Sequence, residues 1–327
     1  MTTLSHQTGH AGTLATIEQL TDFTDAWLRN RDLSANTRDA YRRDVLQYLA
    51  WCHSIGLTPV AARWTHINTY ARHLETVPAH PKSPKPLAKR SIARKMSALS
   101  SWYAFLHKLD AVPANPVDAA DKPKIDRDHT STVSFTEAEA AAIVAAARTD
   151  KHIGPLCAAA LAETMVALGA RVTELCLTTV GDLGYQEGNH TLALRKMKGG
   201  KIRVRSLPPA ARAAIETMLT ARPGAAADEP LFRDRDGRPL DRHMVYRFVR
   251  RAARNAGIPA AARITPHSFR HAWAAAARRA GADLEDRQHA LGHADPRTTQ
   301  GYDRASRSLA SDPAYLVAAA IAKAATG

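Results

Sequence analysis

Apolar positions recur at helical spacing through most of the chain. In SANTRDAYRRDVLQYLAWC, Tyr41, Val45, Tyr48 and Leu49 fall three and four apart, the interval that places side chains on one helix face. Ser34 and Asn36 are both available as N-caps, and Arg38, Arg42 and Arg43 lie off the stripe. WTHINTYARHL predicts a shorter helix of the same kind. In SIARKMSALSSWYAFLHKL the stripe is Ile92, Met96, Leu99, Tyr103 and Leu106, with Lys89, Arg90, Arg94 and Lys95 before and beside it. An apolar stripe turned inward and a basic one turned outward suit a small bundle that grips DNA, although any single arginine there also fits an ordinary solvated position. PAHPKSPKPLAKR, between these helices, is rich enough in proline to predict an irregular loop.

Residues 112–133 then lose the apolar period, and the linker is placed at 119–131. Beyond it, Thr136 and Glu139 have capping-box spacing before a new helix. HTLALRK and KIRVRSL alternate with a period of two around MKGGK, whose Gly199–Gly200 pair suits a tight turn. This predicts a β-hairpin with Lys198 at its tip. The expected fold is mainly α: a flexible 1–14, a helical bundle at 15–118, and an α-rich domain with a small antiparallel sheet at 132–327.

Length and composition agree with this division. At 327 residues the chain is long for one small domain, and 45% hydrophobic with 23% charged residues is a globular balance. No apolar run reaches the roughly 18 residues of a membrane span, and MTTLSHQTGH lacks the basic and apolar regions of a signal peptide. Cys52, Cys157 and Cys176 are odd in number and far apart, which suggests neither disulfides nor a metal site and points to the reducing cytoplasm. The formal charge of +14 exceeds what solubility needs and implies a polyanionic partner, nucleic acid first among them.

Several polar residues stand where packing alone would not ask for them. Arg171 follows a break at Gly169 and opens a helix, with Glu174 one turn on. Thr265 and Pro266 cap and open another, so His267, Arg270 and His271 share its first turn, where free N–H groups and the dipole already favour an anion. Downstream, Gly292 ends a helix before His293, Asp295 and Pro296 start the next, and Tyr302 follows Gly301. Taken singly, these residues read as a surface ion pair, an exposed hairpin lysine, a helix cap and a half-buried aromatic. A zinc site on His267 and His271 would need glutamate where Ser268 stands, so no metal is expected.

Taken together, ARVTEL, KGGKIRVRSLP, TPHSFRH, LGH and TTQGY strongly resemble the tyrosine recombinase (phage integrase) family, in the family's order and with its HxxR to LGH to tyrosine spacing. LSANTRDAYRRDVLQYLAW and SIARKMSALSSWYAFL resemble its SAM-like core-binding domain, so the likeness covers nearly the whole chain. It implies site-specific recombination of double-stranded DNA through a 3′-phosphotyrosine intermediate and a Holliday junction. By the same resemblance, Tyr302 is the nucleophile, Arg171 and Arg270 bind the nonbridging phosphate oxygens, and His267 is the general base. His293 hydrogen-bonds the phosphate, Lys198 protonates the leaving 5′-oxygen, and Glu174 is a supporting acid. Lys196 and Lys201 compete with Lys198 for its part. The DNA-contact candidates are Arg38, Arg42, Arg43, Lys89, Arg90, Arg94 and Lys95. The phosphotyrosine conserves the phosphodiester and the side chains supply positive charge, so no cofactor is expected.

The resemblance further implies a tetramer on DNA, either of identical chains or with a paralogue, in the cytoplasm and associated with the nucleoid. An apolar set near the chain end, Tyr315, Leu316, Ala319 and Ile321, suits packing on its own domain or on a neighbouring subunit. Two other readings share the chemistry or the fold. A type IB topoisomerase uses one duplex and has less need of the N-terminal bundle, and a silent DNA-binding regulator would not keep every catalytic position filled.

Overall fold

The structure is a computed structural model, which describes residues 17–80, 83–121, 123, 132–195, 202–293 and 299. The chain divides into two compact units, Met1–Asp126 and Arg127–Gly327.

Among the described residues of the first unit four α-helices enclose an aromatic core: α1 (Ile17–Arg29), α2 (Ala35–Ser54), α3 (Trp64–Thr76) and α4 (Lys89–Lys108). Ser34, not Asn36, caps α2, its hydroxyl accepting the Thr37 N–H. The stripes expected on α2 and α4 meet at Tyr48, Trp102 and Tyr103, all fully buried. A buried phenol is stabilised by a partner, and those of Tyr48 and Tyr103 find one. The Tyr48 and Tyr103 hydroxyls lie 2.7 Å apart, and Tyr103 donates to the Pro59 carbonyl at 2.9 Å.

Two expectations for this unit change. The proline-rich loop contains a two-stranded antiparallel ribbon, β1 (Pro78–His80) and β2 (Ser83–Pro86), with Pro78 opposite Pro86. A two-stranded ribbon has an outer edge on both strands, so residues without an N–H do not break its ladder. Lys95 stands inside the unit rather than on an outward basic face. Its ammonium lies 2.7 Å from Asp44 and 2.7 Å from Gln47, and Asp44, 2% exposed, also takes Arg94. A buried carboxylate needs compensating charge, and the flexible lysine stem reaches it from beside the apolar stripe. Arg42 is exposed but paired with Asp25, while Arg38, Arg43, Lys89 and Arg90 are exposed.

The second unit begins with the anticipated capping box: the Glu139 N–H donates to Thr136 Oγ1, and the Thr136 N–H donates to the Glu139 carboxylate. It opens α5 (Glu137–Ala147), which packs on α6 (Pro155–Leu168). Then come α7 (Val172–Cys176) and a sheet of β3 (Leu183–Gln186), β4 (Asn189–Arg195) and β5 (Ile202–Ser206), antiparallel in that order. Helices α8 (Pro209–Thr220), α9 (Arg242–Asn255), α10 (Pro266–Arg279) and α11 (Leu284–Leu291) follow. The expected mainly α fold with a small antiparallel sheet is therefore the observed one.

The expected hairpin is β4–β5, and Lys198 lies in its connection, 196–201, outside the described residues. Strand β3 was not anticipated. It joins β4 through Glu187–Gly188, both at positive φ (49° and 79°), the geometry of a type I′ turn. The alternation in β5 is also inverted from what hydrophobicity alone suggests. Ile202 and Val204 are 53% and 42% exposed, while Arg203 and Arg205 pair across to Leu194 and Leu192, both fully buried.

Candidate active site

Three chain breaks deliver the site residues. Helix α6 stops at Gly169, whose φ of 56° is left-handed and whose hypothetical Cβ would stand 2.8 Å from Trp273. Only glycine fits there, and two residues later Arg171 becomes the N-cap of α7. Glu174 accepts both the backbone N–H of Arg171 and its Nη1, each at 2.9 Å. At the second break Thr265 caps α10, its N–H donating to Ser268 Oγ at 3.1 Å, with Pro266 as the first helical residue. That turn holds His267, Arg270 and His271, with Arg270 1% exposed. At the third, Gly292 ends α11 with φ 62° and releases His293.

These breaks converge on the end of α11. Its last carbonyls point out of the helix without intrahelical partners and carry the negative end of the dipole. Guanidiniums take them in turn. Arg203 and Arg205 donate to Ala290 O, Arg270 to Leu291 O at 2.5 Å, and Arg171 to Gly292 O at 3.3 Å. Arg270 also reaches Gly169 O at 3.1 Å, tying the α6 break to the α11 break. Glu174, 2% exposed, bridges Arg171 and Arg203, whose Nη2 lies 2.8 Å from its carboxylate.

The histidines sit within this positive field. Burial, then Arg270 and Arg171, hold His267 below the ordinary imidazole range. Burial, His267 and Arg270 push His271 down to about 4, and burial with Arg270 and Arg171 foremost pushes His293 down to about 3. All three imidazoles are therefore neutral at pH 7. The hydrogen bonds assign a tautomer to His293. Arginine only donates, so His293 Nε2, 2.6 Å from Arg270 Nη2, accepts, and Nδ1 carries the proton towards Thr299 Oγ1 at 2.8 Å.

A measurable pH dependence follows. The folded protein resists protonation at His271, so stability is complete above about pH 6.5 and is lost as pH falls from there towards about 4. The urea midpoint of the DNA-free protein is expected to drop steadily between pH 7 and pH 5, and less steeply for His271→Gln. A midpoint equally flat in both proteins would contradict the assignment.

Five of the anticipated residues, Arg171, Glu174, His267, Arg270 and His293, thus lie together in one cluster. Tyr302, like Lys198, lies outside the described residues. Arg203, Arg205, Trp273 and Thr299 join the site without having been anticipated. Among the described residues no cluster of histidine, cysteine, aspartate or glutamate is arranged to hold a metal ion.

A cluster of fixed guanidiniums and neutral imidazoles, in a chain of net charge +14 with a separate helical bundle, has the chemistry that phosphoryl transfer on nucleic acid requires. Comparison with known proteins gives the family. The model of the phage integrase family matches residues 134–308, and that of the phage integrase N-terminal SAM-like domain matches 20–108. The tyrosine recombinase XerC of Pelobacter propionicus is 32% identical over 294 residues, covering 89% of this chain and 91% of its own. The tyrosine recombinase XerD of Chlorobaculum tepidum is 32% identical over 287 residues, covering 85% and 89%. Among solved structures, a lambda integrase dimer bound to a COC′ core site shares the fold with a TM-score of 0.68 at 18% identity, over 90% of this chain and 97% of that one. The chain belongs to the phage integrase family and is a tyrosine recombinase, an enzyme that cleaves and rejoins DNA.

Proposed function

We propose that this recombinase holds the scissile phosphate of a specific duplex site in the Arg171–Arg270 pocket and cleaves it with Tyr302. The Tyr302 oxygen attacks phosphorus, the bond to the 5′-oxygen breaks, and a 3′-phosphotyrosyl link forms with a free 5′-hydroxyl. A phenol ionises near pH 10, so attack at neutral pH needs a base and a cationic surround. Neutral His267 takes the phenolic proton, and Lys198 returns one to the leaving oxygen. Arg171 and Arg270 face the charge that builds on the nonbridging oxygens, for which two planar forks suit better than ammonium groups. A phosphate oxygen beside His293 Nε2 favours the tautomer with its proton on that nitrogen, turning it from an acceptor into a donor while the ring stays neutral.

The observation that carries this reading is the shared anchoring of Arg171 and Arg270 on the carbonyls that end α11, with His293 bonded to Arg270. Support also comes from chain length: Tyr302 follows the buried Thr299 by three residues, a tether of at most about 11 Å. The exposed Arg38, Arg43, Lys89 and Arg90 grip the DNA backbone, with binding that weakens steeply in salt.

The same reading has four chains, identical or shared with a paralogue, assembling on two duplexes in the cytoplasm. Its test uses a duplex selected for binding from a randomised pool. Paired duplexes should yield Holliday junctions in complexes that sediment with four protein chains. Relaxation of supercoiled DNA by single chains, with no exchange between duplexes, would favour topoisomerase action instead.

A further inference from the structure

Strand β5 buries the costlier half of its alternation, leaving Ile202 and Val204 in solvent and turning Arg203 and Arg205 inward. Taking a guanidinium out of water is unfavourable unless its donors find acceptors, so the inversion requires a compensating fit. For Arg203 the fit is Glu174, within the pocket already described. Arg205 has no acidic hydrogen-bond partner among the described residues. Its Nη1 donates to Leu168 O at 3.2 Å and to Ala290 O, and its Cζ lies 5.2 Å from the centre of the Trp273 ring. Trp273 is anchored in turn by its indole N–H on Ala167 O at 2.9 Å, and its first side-chain carbons fill the space that a Cβ at Gly169 would need. Burial, with Arg203 and Arg270 nearby, lowers the Arg205 guanidinium to about 10, so it is still charged at neutral pH.

Leu168 is the last residue of α6, just before the break that delivers Arg171. Ala290 is in the last turn of α11, just before the carbonyls that hold Arg270 and Arg171. One planar side chain thus spans the two helix ends that carry the pocket. We infer that Arg205 is a positioning residue of the recombinase: stacked on Trp273, it locks the ends of α6 and α11 together and so fixes how Arg171 and Arg270 meet the phosphate. The inference rests on the assignment of that pocket to the scissile phosphate. Arg205 touches no reacting atom, so it acts through placement, and a displacement near 1 Å costs up to about a hundredfold in rate.

The experiment compares single-turnover cleavage and DNA affinity, on the selected duplex carrying a nick beside the scissile phosphate, for Arg205→Met, Arg205→Lys and Trp273→Phe. Arg205→Met is expected to cleave about thirtyfold to a hundredfold more slowly, with affinity within about twofold of the parent. Arg205→Lys keeps the charge but loses the planar stack and fork, and should be slower by about tenfold, with Trp273→Phe slower by about fivefold. On a methylphosphonate duplex, which lacks one nonbridging oxygen and its charge, demand on the arginines falls, and each deficit should shrink to within about threefold.

Cleavage by Arg205→Lys at the parental rate would overturn the inference, since charge alone would then suffice. Deficits unchanged on methylphosphonate DNA would overturn it too, since they would mark general loosening of the unit. If Arg205→Met shows no cooperative urea transition, the other two variants decide by the same criteria. An Arg171→Ala control separates the two levels: full cleavage by that variant removes the pocket assignment itself, whereas an inactive control beside fully active Arg205 variants removes only the positioning role.

Discussion

Methionine in place of Arg270 is expected to slow formation of the covalent DNA adduct by at least about a thousandfold, the scale seen when a preorganised donor to a developing anion is removed. Arg270 is 1% exposed and is held on both sides, by Gly169 O and by Leu291 O, so its guanidinium is set before substrate arrives. That preorganisation carries the effect, because no reorientation is needed as charge builds on phosphorus. Lysine should restore little, since one ammonium cannot span both carbonyls and also reach a phosphate. The methionine variant should lose about 2 kcal/mol of stability, near 1 kcal/mol for each abandoned carbonyl. DNA affinity, spread over many phosphate contacts, should stay within about threefold. Single-turnover cleavage on a denaturing gel, with filter binding in parallel, reads both, and near-parental cleavage would exclude Arg270 from the chemistry.

The next largest effect is expected at Glu174. This carboxylate is 2% exposed and bridges Arg171 and Arg203. Removing it leaves the buried Arg203 guanidinium without its counter-charge, which costs about 3 kcal/mol, while the more exposed Arg171 adds little. Glu174→Ala should therefore unfold at distinctly lower urea, and the freed Arg171 should cost cleavage about a hundredfold. Glu174→Gln keeps an acceptor oxygen while losing the charge, so it should fall between the two proteins in both measurements. Cleavage by Glu174→Ala at the parental rate would mean that Arg171 needs no such support.

The parts of the site that were legible in advance are those decided locally. Thr136 with Glu139, Arg171 with Glu174, and the first turn holding His267, Arg270 and His271 are each complete within one helical turn. Gly169 and Gly292 were readable as breaks because a left-handed residue is cheap only for glycine. What escaped depends on distant partners. Alternation in KIRVRS sets both arginines on one face of β5, but which face is inward depends on the α11 carbonyls more than eighty residues away. Lys95 reads as an outward cation until Asp44, on another helix, is placed beside it. The ribbon at Pro78–Pro86 was hidden because proline argues against strands in general but not against exposed edges.

The most direct measurement uses a duplex nicked just past the scissile phosphate, so that the short 5′ fragment diffuses away and the enzyme is trapped on its DNA. The wild-type chain should appear on a denaturing gel as a DNA-linked band, and peptide mapping should place the link on residue 302. Tyr302→Phe should bind the same duplex and give no such band. A covalent product that persists in Tyr302→Phe, or one that maps to another residue, would contradict the account.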